Sequence, residues 1–199
     1  MSIRPSWFFV FAAMVGCAPA ASTTPPPKTV AQPAAPTWKT RAVDGKCQTE
    51  LGALIAGRLD GFRGLGKCGR VDAEQALGSS GEQPSKFEQF GEYRVYPRPD
   101  GTILVWFLSD DIRVMQRLFP KLQRPIKSQL GEPEAKTPSG LSVEWEQWVY
   151  ASRGLTAHVK RQGGEVVALF AYRATTVDAF LASDIAKVSK SDAPLEELK

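Results

Sequence analysis

Residues 145–172, WEQWVYASRGLTAHVKRQGGEVVALFAY, carry the strongest fold signal in the chain. Three strand-like runs lie at Trp145–Tyr150, Leu155–Lys160 and Val166–Tyr172. Arg153-Gly154 predicts a tight turn between the first two runs, and residues 162–165, Gln-Gly-Gly-Glu, predict a hairpin turn between the last two. The stretch therefore predicts a meander of three antiparallel strands.

A similar series precedes it. Strand-like runs occupy residues 92–96 and 103–108, with a strong turn signal, Pro-Arg-Pro-Asp-Gly, at 97–101. A second turn is predicted at residues 109–111, Ser-Asp-Asp. It leads into a third run at 112–119, whose pattern also fits a helix. We expect a second meander here.

Helical spacing of apolar residues flanks both meanders. Residues 48–62 predict a helix, 71–78 predict a short helix that ends at a glycine, and 176–188 predict a last helix. The apolar stripe of the first comprises Leu51, Leu54, Ile55, Leu59 and Phe62. The stripe of the last comprises Val177, Phe180, Leu181, Ile185 and Val188. The sequence thus predicts an α+β domain with helices packed on antiparallel meanders.

The order of helix, Leu-Gly and three strands occurs twice. Its carrying residues are Val71 with Leu77-Gly78, then Leu130-Gly131-Glu132-Pro133, and Val149-Tyr150 leading to Gly154-Leu155. This order resembles the small-protein-A family of outer-membrane assembly lipoproteins. It is also similar to the β-lactamase-inhibitor-protein architecture, which sets two such units in tandem. The resemblance implies units at 48–122 and 123–190 and a tendency to bind proteins without catalysis.

The first residues have the features of an export signal. Arg4 supplies a positive charge, and an unbroken apolar run follows at residues 7–15. The run is too short to span a bilayer as a helix, which takes about 20 residues, but it matches the central region of a signal peptide. We expect this segment, residues 1–16, to act as a signal peptide.

Met14-Val15-Gly16-Cys17 resembles the lipobox of bacterial lipoproteins. The resemblance implies that Cys17 carries lipid on its sulfur and its amine and becomes the first mature residue. Ala18 in place of Asp implies the outer membrane of a Gram-negative bacterium, with the domain on the periplasmic side. Several acyl chains make such an anchor effectively permanent. The alternative is ordinary secretion, with cleavage near residues 18–21.

A tether is expected between the anchor and the domain. Residues 17–40 are rich in Pro, Ala and Thr and have few large apolar side chains, so they cannot offset their chain entropy by burial. The globular domain is expected over 41–190, followed by a flexible tail at 191–199.

Cys47 and Cys68 remain if Cys17 is lipidated. Two cysteines in an exported protein favour one disulfide. Two free buried thiols are the alternative. A zinc site is disfavoured because the chain has 3 Cys and 1 His, and we expect no metal and no cofactor.

Few residues suggest catalysis. His158, the only histidine, is expected to be exposed on its strand. Glu144 and Glu146 share a strand face and could do acid–base chemistry, but no nucleophile or phosphate-binding loop accompanies them. The pair Asp110-Asp111 is better explained as a turn than as a cation site.

The aromatic residues suggest a binding surface. Strand 103–108 is apolar on both faces, whereas a sheet with helices on one side buries only one set. The candidate partner surface comprises Tyr96, Trp106, Trp148, Tyr150 and Tyr172. The alternative is that the second unit or a further helix covers this face.

The charge balance does not favour nucleic acid as a partner. The chain has 25 Lys+Arg against 21 Asp+Glu, a formal net charge of +4. The nearest basic cluster, Arg113, Arg117, Lys121, Arg124 and Lys127, fits a solvated face. We expect a non-catalytic protein-binding or envelope-assembly role, with another envelope protein as partner. The alternatives are an envelope enzyme acting on cell-wall material and a structural spacer.

Overall fold

The protein is described from a computed structural model that covers residues 42–78, 85–87 and 91–188. The helices there are α1 (Gly45–Ile55), α2 (Arg70–Leu77), α3 (Ile126–Leu130), α4 (Val177–Ala182) and α5 (Asp184–Val188). The strands are β1 (Ser85–Phe87), β2 (Gly91–Arg98), β3 (Gly101–Leu108), β4 (Asp111–Leu118), β5 (Ala135–Pro138), β6 (Trp145–Tyr150), β7 (Leu155–Lys160) and β8 (Val166–Tyr172). The predicted α+β class is confirmed.

The predicted signal peptide, Cys17, the tether and the tail at 191–199 lie outside these residues. None of the described helices has both the length and the hydropathy that crossing a bilayer requires.

All eight strands form one antiparallel sheet in the order β1-β2-β3-β4-β8-β7-β6-β5. Strands β1–β4 form one meander and β5–β8 form another. The two meet where β4 pairs with β8, with Gln116 opposite Phe170. The two predicted units therefore share a continuous sheet, and the first strand of each lies at an outer edge.

One face of the sheet packs against helices α1 and α3. We call it the helix-covered face. Side chains of α1 and α3, including Leu51, Leu54 and Ile126, contact this face. Its strand residues include Tyr96, Ile103, Val105, Phe107, Met115, Leu155, Ala157 and Leu169. A disulfide between Cys47 and Cys68 joins α1 to the segment before α2, with the two Cα atoms 5.3 Å apart. This agrees with the pairing expected from the sequence.

The other side, which we call the opposite face, holds Tyr93, Val95, Leu104, Trp106, Val114, Gln116, Leu118, Val149, His158, Phe170 and Tyr172. Helix α4 covers one end of it, where Phe180 stacks on Tyr172 with ring centroids 4.8 Å apart. Leu141 and Ile185 pack against the apolar cluster around Trp106.

Two predicted helices are shorter than expected. Helix α1 ends at Ile55, and Gly57 follows at a φ of +67°. The positive φ ends the helix, and a Cβ at Gly57 would lie 2.5 Å from the Lys121 carbonyl oxygen, so only glycine fits there. Leu59 and Phe62 are still buried, but they lie in the non-helical segment that follows α1.

The predicted last helix is divided in two by Ser183, whose backbone is extended. Because of this break the predicted stripe is incomplete: Phe180 is fully buried, whereas Leu181 is 39% exposed. The third run of the first meander is the strand β4.

The Leu-Gly pattern has the same structural role in both halves. Helix α2 ends at Leu77 and is followed by Gly78 at a φ of +83°, and α3 ends at Leu130 and is followed by Gly131 at +81°. Both glycines combine a positive φ with an extended ψ, a conformation that is open essentially to glycine alone and that ends the helix.

Candidate functional site

The five aromatic residues predicted as a partner surface do not form an open face. Their exposed fractions lie between 0% and 9%. Tyr96, Trp148 and Tyr150 belong to the helix-covered face, and Trp106 and Tyr172 to the opposite face. The prediction is corrected accordingly: both faces of this sheet are covered, so aromatic residues on either face serve as core.

His158 is also placed differently from the prediction. It is fully buried on the opposite face, with its ring 5.2 Å from that of Phe170. The Ser139 hydroxyl and His158 Nδ1 form a 2.8 Å hydrogen bond, and Nε2 has no partner within the described part of the chain. Burial lowers the pKa of His158 to about 4, so the ring is neutral at pH 7. The ring is therefore part of the core and is not exposed to solvent.

The two carboxylates considered for acid–base chemistry are not arranged as a pair. Glu146 Oε2 accepts a 3.1 Å hydrogen bond from Trp148 Nε1, and Glu146 Oε1 lies 4.0 Å from Arg161 Nε. Glu144 is exposed just before β6. Within residues 42–78, 85–87 and 91–188, no group of three or more His, Cys, Asp or Glu side chains could hold a metal ion.

The predicted basic cluster is distributed among separate ion pairs. Arg117 is buried, which corrects its assignment to a solvated face, and it binds Asp100 at 2.5 Å and the Leu54 carbonyl oxygen at 2.9 Å. The remaining pairs are Arg113 with Asp184, Arg124 with Asp60, and Lys127 with Glu132.

Phe119 is an exposed aromatic residue that the sequence patterns did not predict. This residue follows β4, its side chain is 62% exposed, and its φ is +52°. A positive φ is uncommon for a non-glycine residue and costs about 1 to 2 kcal/mol. In the sequence, Phe119 is the last residue of the third strand-like run and directly precedes Pro120.

Two neighbours hold the backbone of Phe119 in place. Its N–H donates a 2.7 Å hydrogen bond to the Val167 carbonyl oxygen. Gly101 packs against the chain on the other side, since a Cβ there would lie 2.2 Å from the Leu118 carbonyl oxygen. The surrounding structure thus keeps a large aromatic ring in solvent in a strained conformation.

A groove of about 440 Å³ lies beside this ring. Its walls come from the segment 119–126, including Pro120, Pro125 and Ile126, and from the β7–β8 turn at 163–166. Gly163 and Gly164 leave the turn side of the groove open because they carry no side chains. The groove lies in the size range of small binding sites, about 300–1,000 Å³.

Comparison with known proteins adds little to this site. No protein-family model matches the chain, and no curated protein matches it. A solved structure of a DUF4309 family protein (YjgB) from Bacillus subtilis is similar to it at 12% sequence identity and a TM-score of 0.40. The match covers 65% of this chain and 99% of that chain.

Proposed function

We propose that this protein is a lipoprotein anchored to the outer membrane on its periplasmic side, where it binds another envelope protein without catalysis. The anchor rests on the lipobox ending at Cys17 and on the Pro-rich segment that separates it from the domain. The buried Cys47–Cys68 disulfide supports an oxidising compartment, because such bonds are rare in the bacterial cytosol.

The observation that carries the binding role is the exposed Phe119 ring beside its groove. Strained backbone that the surrounding structure maintains is concentrated at functional positions. An exposed aromatic residue next to a concave surface is also the kind of residue that dominates protein–protein affinity. Phe119 makes no compensating contribution to the core, which favours a role outside the fold.

The anchor is tested by labelling cells with radioactive palmitate and fractionating the envelope. We expect the wild-type chain to be labelled and to sediment with outer membranes, and Cys17→Ser to be unlabelled and soluble. Labelling of Cys17→Ser, or a wild-type chain that is free in the cytosol with residues 1–16 intact, would contradict the anchor.

The binding role is tested by placing a photoreactive phenylalanine analogue at position 119 of the lipidated chain. The matched control carries it at Val143, which is 87% exposed and lies in the β5–β6 connection. We expect a discrete crosslinked protein from position 119 and none from position 143. Equal products from both positions, or none from either, would instead favour a structural spacer.

A further inference from the structure

We infer that the Phe119 groove binds an acidic segment of the partner protein, with an apolar side chain in the groove and carboxylates on its rim. The inference rests on the proposed binding function and specifies the chemistry of the partner. Two properties of the site carry it: the shape of the apolar wall and the charge balance around it.

The apolar wall is concave and short. Phe119 contributes its exposed ring, Pro120 and Pro125 fix the backbone on one side, and Val166 closes the floor near the β7–β8 turn. A concave site of this size fits one or two side chains of a peptide better than it fits a flat bilayer surface. The shape therefore favours a protein segment over a membrane.

Three carboxylates near the groove form ion pairs within the domain. Asp60 binds Arg124, which lines the groove, and Asp100 binds the buried Arg117. Glu165, in the turn that forms the other wall, binds Lys160 at 2.7 Å. Each of these three acids therefore neutralises a cation of the protein itself.

Three exposed cations near the groove have no carboxylate partner within the described residues. Lys121 follows Phe119-Pro120. Arg58 follows Gly57, whose backbone packs against Lys121 and Leu122. Arg98 lies opposite Gly101, which packs against the Phe119 carbonyl. The charged residues that line the groove, Arg124 and Glu165, are each paired, so these three cations give the surface around the groove a positive charge.

An acidic segment would complement that charge. Opposite charges on the rim mainly speed association and select the partner, whereas the apolar contact in the centre holds the complex together. Binding should accordingly depend on Phe119 at any ionic strength and on Lys121 only at low ionic strength.

The test uses the full chain in detergent micelles. A phage-displayed random peptide library is selected on it, and the recovered peptides are synthesised with a fluorescent label for anisotropy titrations. We expect acidic peptides with a large apolar residue. Phe119→Ala should weaken them about tenfold or more at low and high salt. Lys121→Glu should weaken them several-fold at low salt and little at high salt. Val143→Ala is the control and should have no effect.

Several results would overturn the inference. These are the recovery of no peptide, a consensus without acidic residues, or acidic peptides that bind Phe119→Ala as well as the wild type. Vesicles of phosphatidylcholine and phosphatidylglycerol are tested in parallel. If they bind in a Phe119-dependent way and no peptide does, the surface contacts lipid instead. The palmitate experiment is independent, so failure of the anchor and failure of this inference can be told apart.

Discussion

Both faces of the sheet bury large apolar side chains, but they differ in how a buried glutamine beside them is hydrogen-bonded. On the helix-covered side, Gln129 of α3 accepts a hydrogen bond from the Leu59 N–H at 2.6 Å and donates to the carbonyl oxygens of Arg124 and Gly57. On the opposite face, both amide atoms of Gln116 and the Nε2 of His158 are buried and have no hydrogen-bond partner among the residues that the structure describes. The contrast therefore concerns the two buried glutamines, because the Tyr96 hydroxyl on the helix-covered side also lacks a hydrogen-bond partner among the described residues.

The largest effect should come from the crosslink on the helix-covered side. Replacing Cys47 and Cys68 together by Ala opens a loop whose ends are 21 residues apart, which should lower the free energy of unfolding by about 3 kcal/mol. Urea denaturation measures this. Reductant should destabilise the wild type by a similar amount and leave the double variant unchanged. A variant as stable as the wild type would show that the disulfide contributes nothing to this side.

The opposite face should be the acid-sensitive one. The pKa of His158 falls from about 6.5 in the unfolded chain to about 4 in the fold, so the unfolded chain takes up the proton first as the pH drops. Stability should be complete above about pH 6.5 and lower by about 2.5 kcal/mol near pH 4.5.

Urea denaturation midpoints measured across this pH range test the prediction. In His158→Gln, this decrease of stability with falling pH should be lost. The carboxylate of Glu92, on the helix-covered side, does not account for the same pH dependence of stability. Hydrogen bonding to Arg70 lowers the pKa of Glu92 below 4.5, so its contribution is lost only at lower pH. A variant that keeps the wild-type slope would rule out His158 as the cause.

Two matched glutamine substitutions give the sharpest contrast between the faces. Gln116→Leu removes a buried amide that has no hydrogen-bond partner in residues 42–78, 85–87 and 91–188, so it should raise the free energy of unfolding by about 1 kcal/mol. Gln129→Leu removes three hydrogen bonds and should lower it by about 2 kcal/mol. Denaturation of the two variants in parallel measures both. If both variants changed the free energy of unfolding in the same direction, the two buried glutamines would not differ in how they contribute to stability.

The smallest effect on the free energy of unfolding is expected at Phe119, beside the groove. Phe119→Asn places a residue that tolerates the left-handed conformation at a φ of +52°, so it should stabilise the domain by about 0.5 to 1 kcal/mol. The same variant should lose the peptide binding described above. Thermal unfolding and anisotropy together separate the two roles. A less stable Phe119→Asn variant would show that the ring supports the fold.

Local patterns in the sequence predicted the second meander well. Strands β6, β7 and β8 have the expected bounds because alternating residues are interrupted by the turn signals at Gly154 and Gly163-Gly164. Strand β5 was not predicted, since Ala135–Pro138 is short, carries a proline and lies at an edge. The end of α1 was also missed, because a contact with the distant Lys121 determines the turn at Gly57.

The candidate site could not be predicted for a similar reason. Strand residues that alternate in sequence indicate two faces, but not whether a face is covered, so the five aromatic residues and His158 were placed at the surface. The exposure of Phe119 depends on Val167 and Gly101, which lie far from it in sequence. Long-range backbone contacts of this kind leave no local pattern.

The position of β8 has a consequence for biogenesis. This strand is the last of the eight along the chain, yet it lies in the middle of the sheet, between β4 and β7. A chain threaded through a translocation pore from its N-terminus can form neither the seam with β4 nor the pairing with β7 until residue 172 has emerged. For the exported lipoprotein that we propose, almost the whole domain would have to leave the pore before its sheet could close.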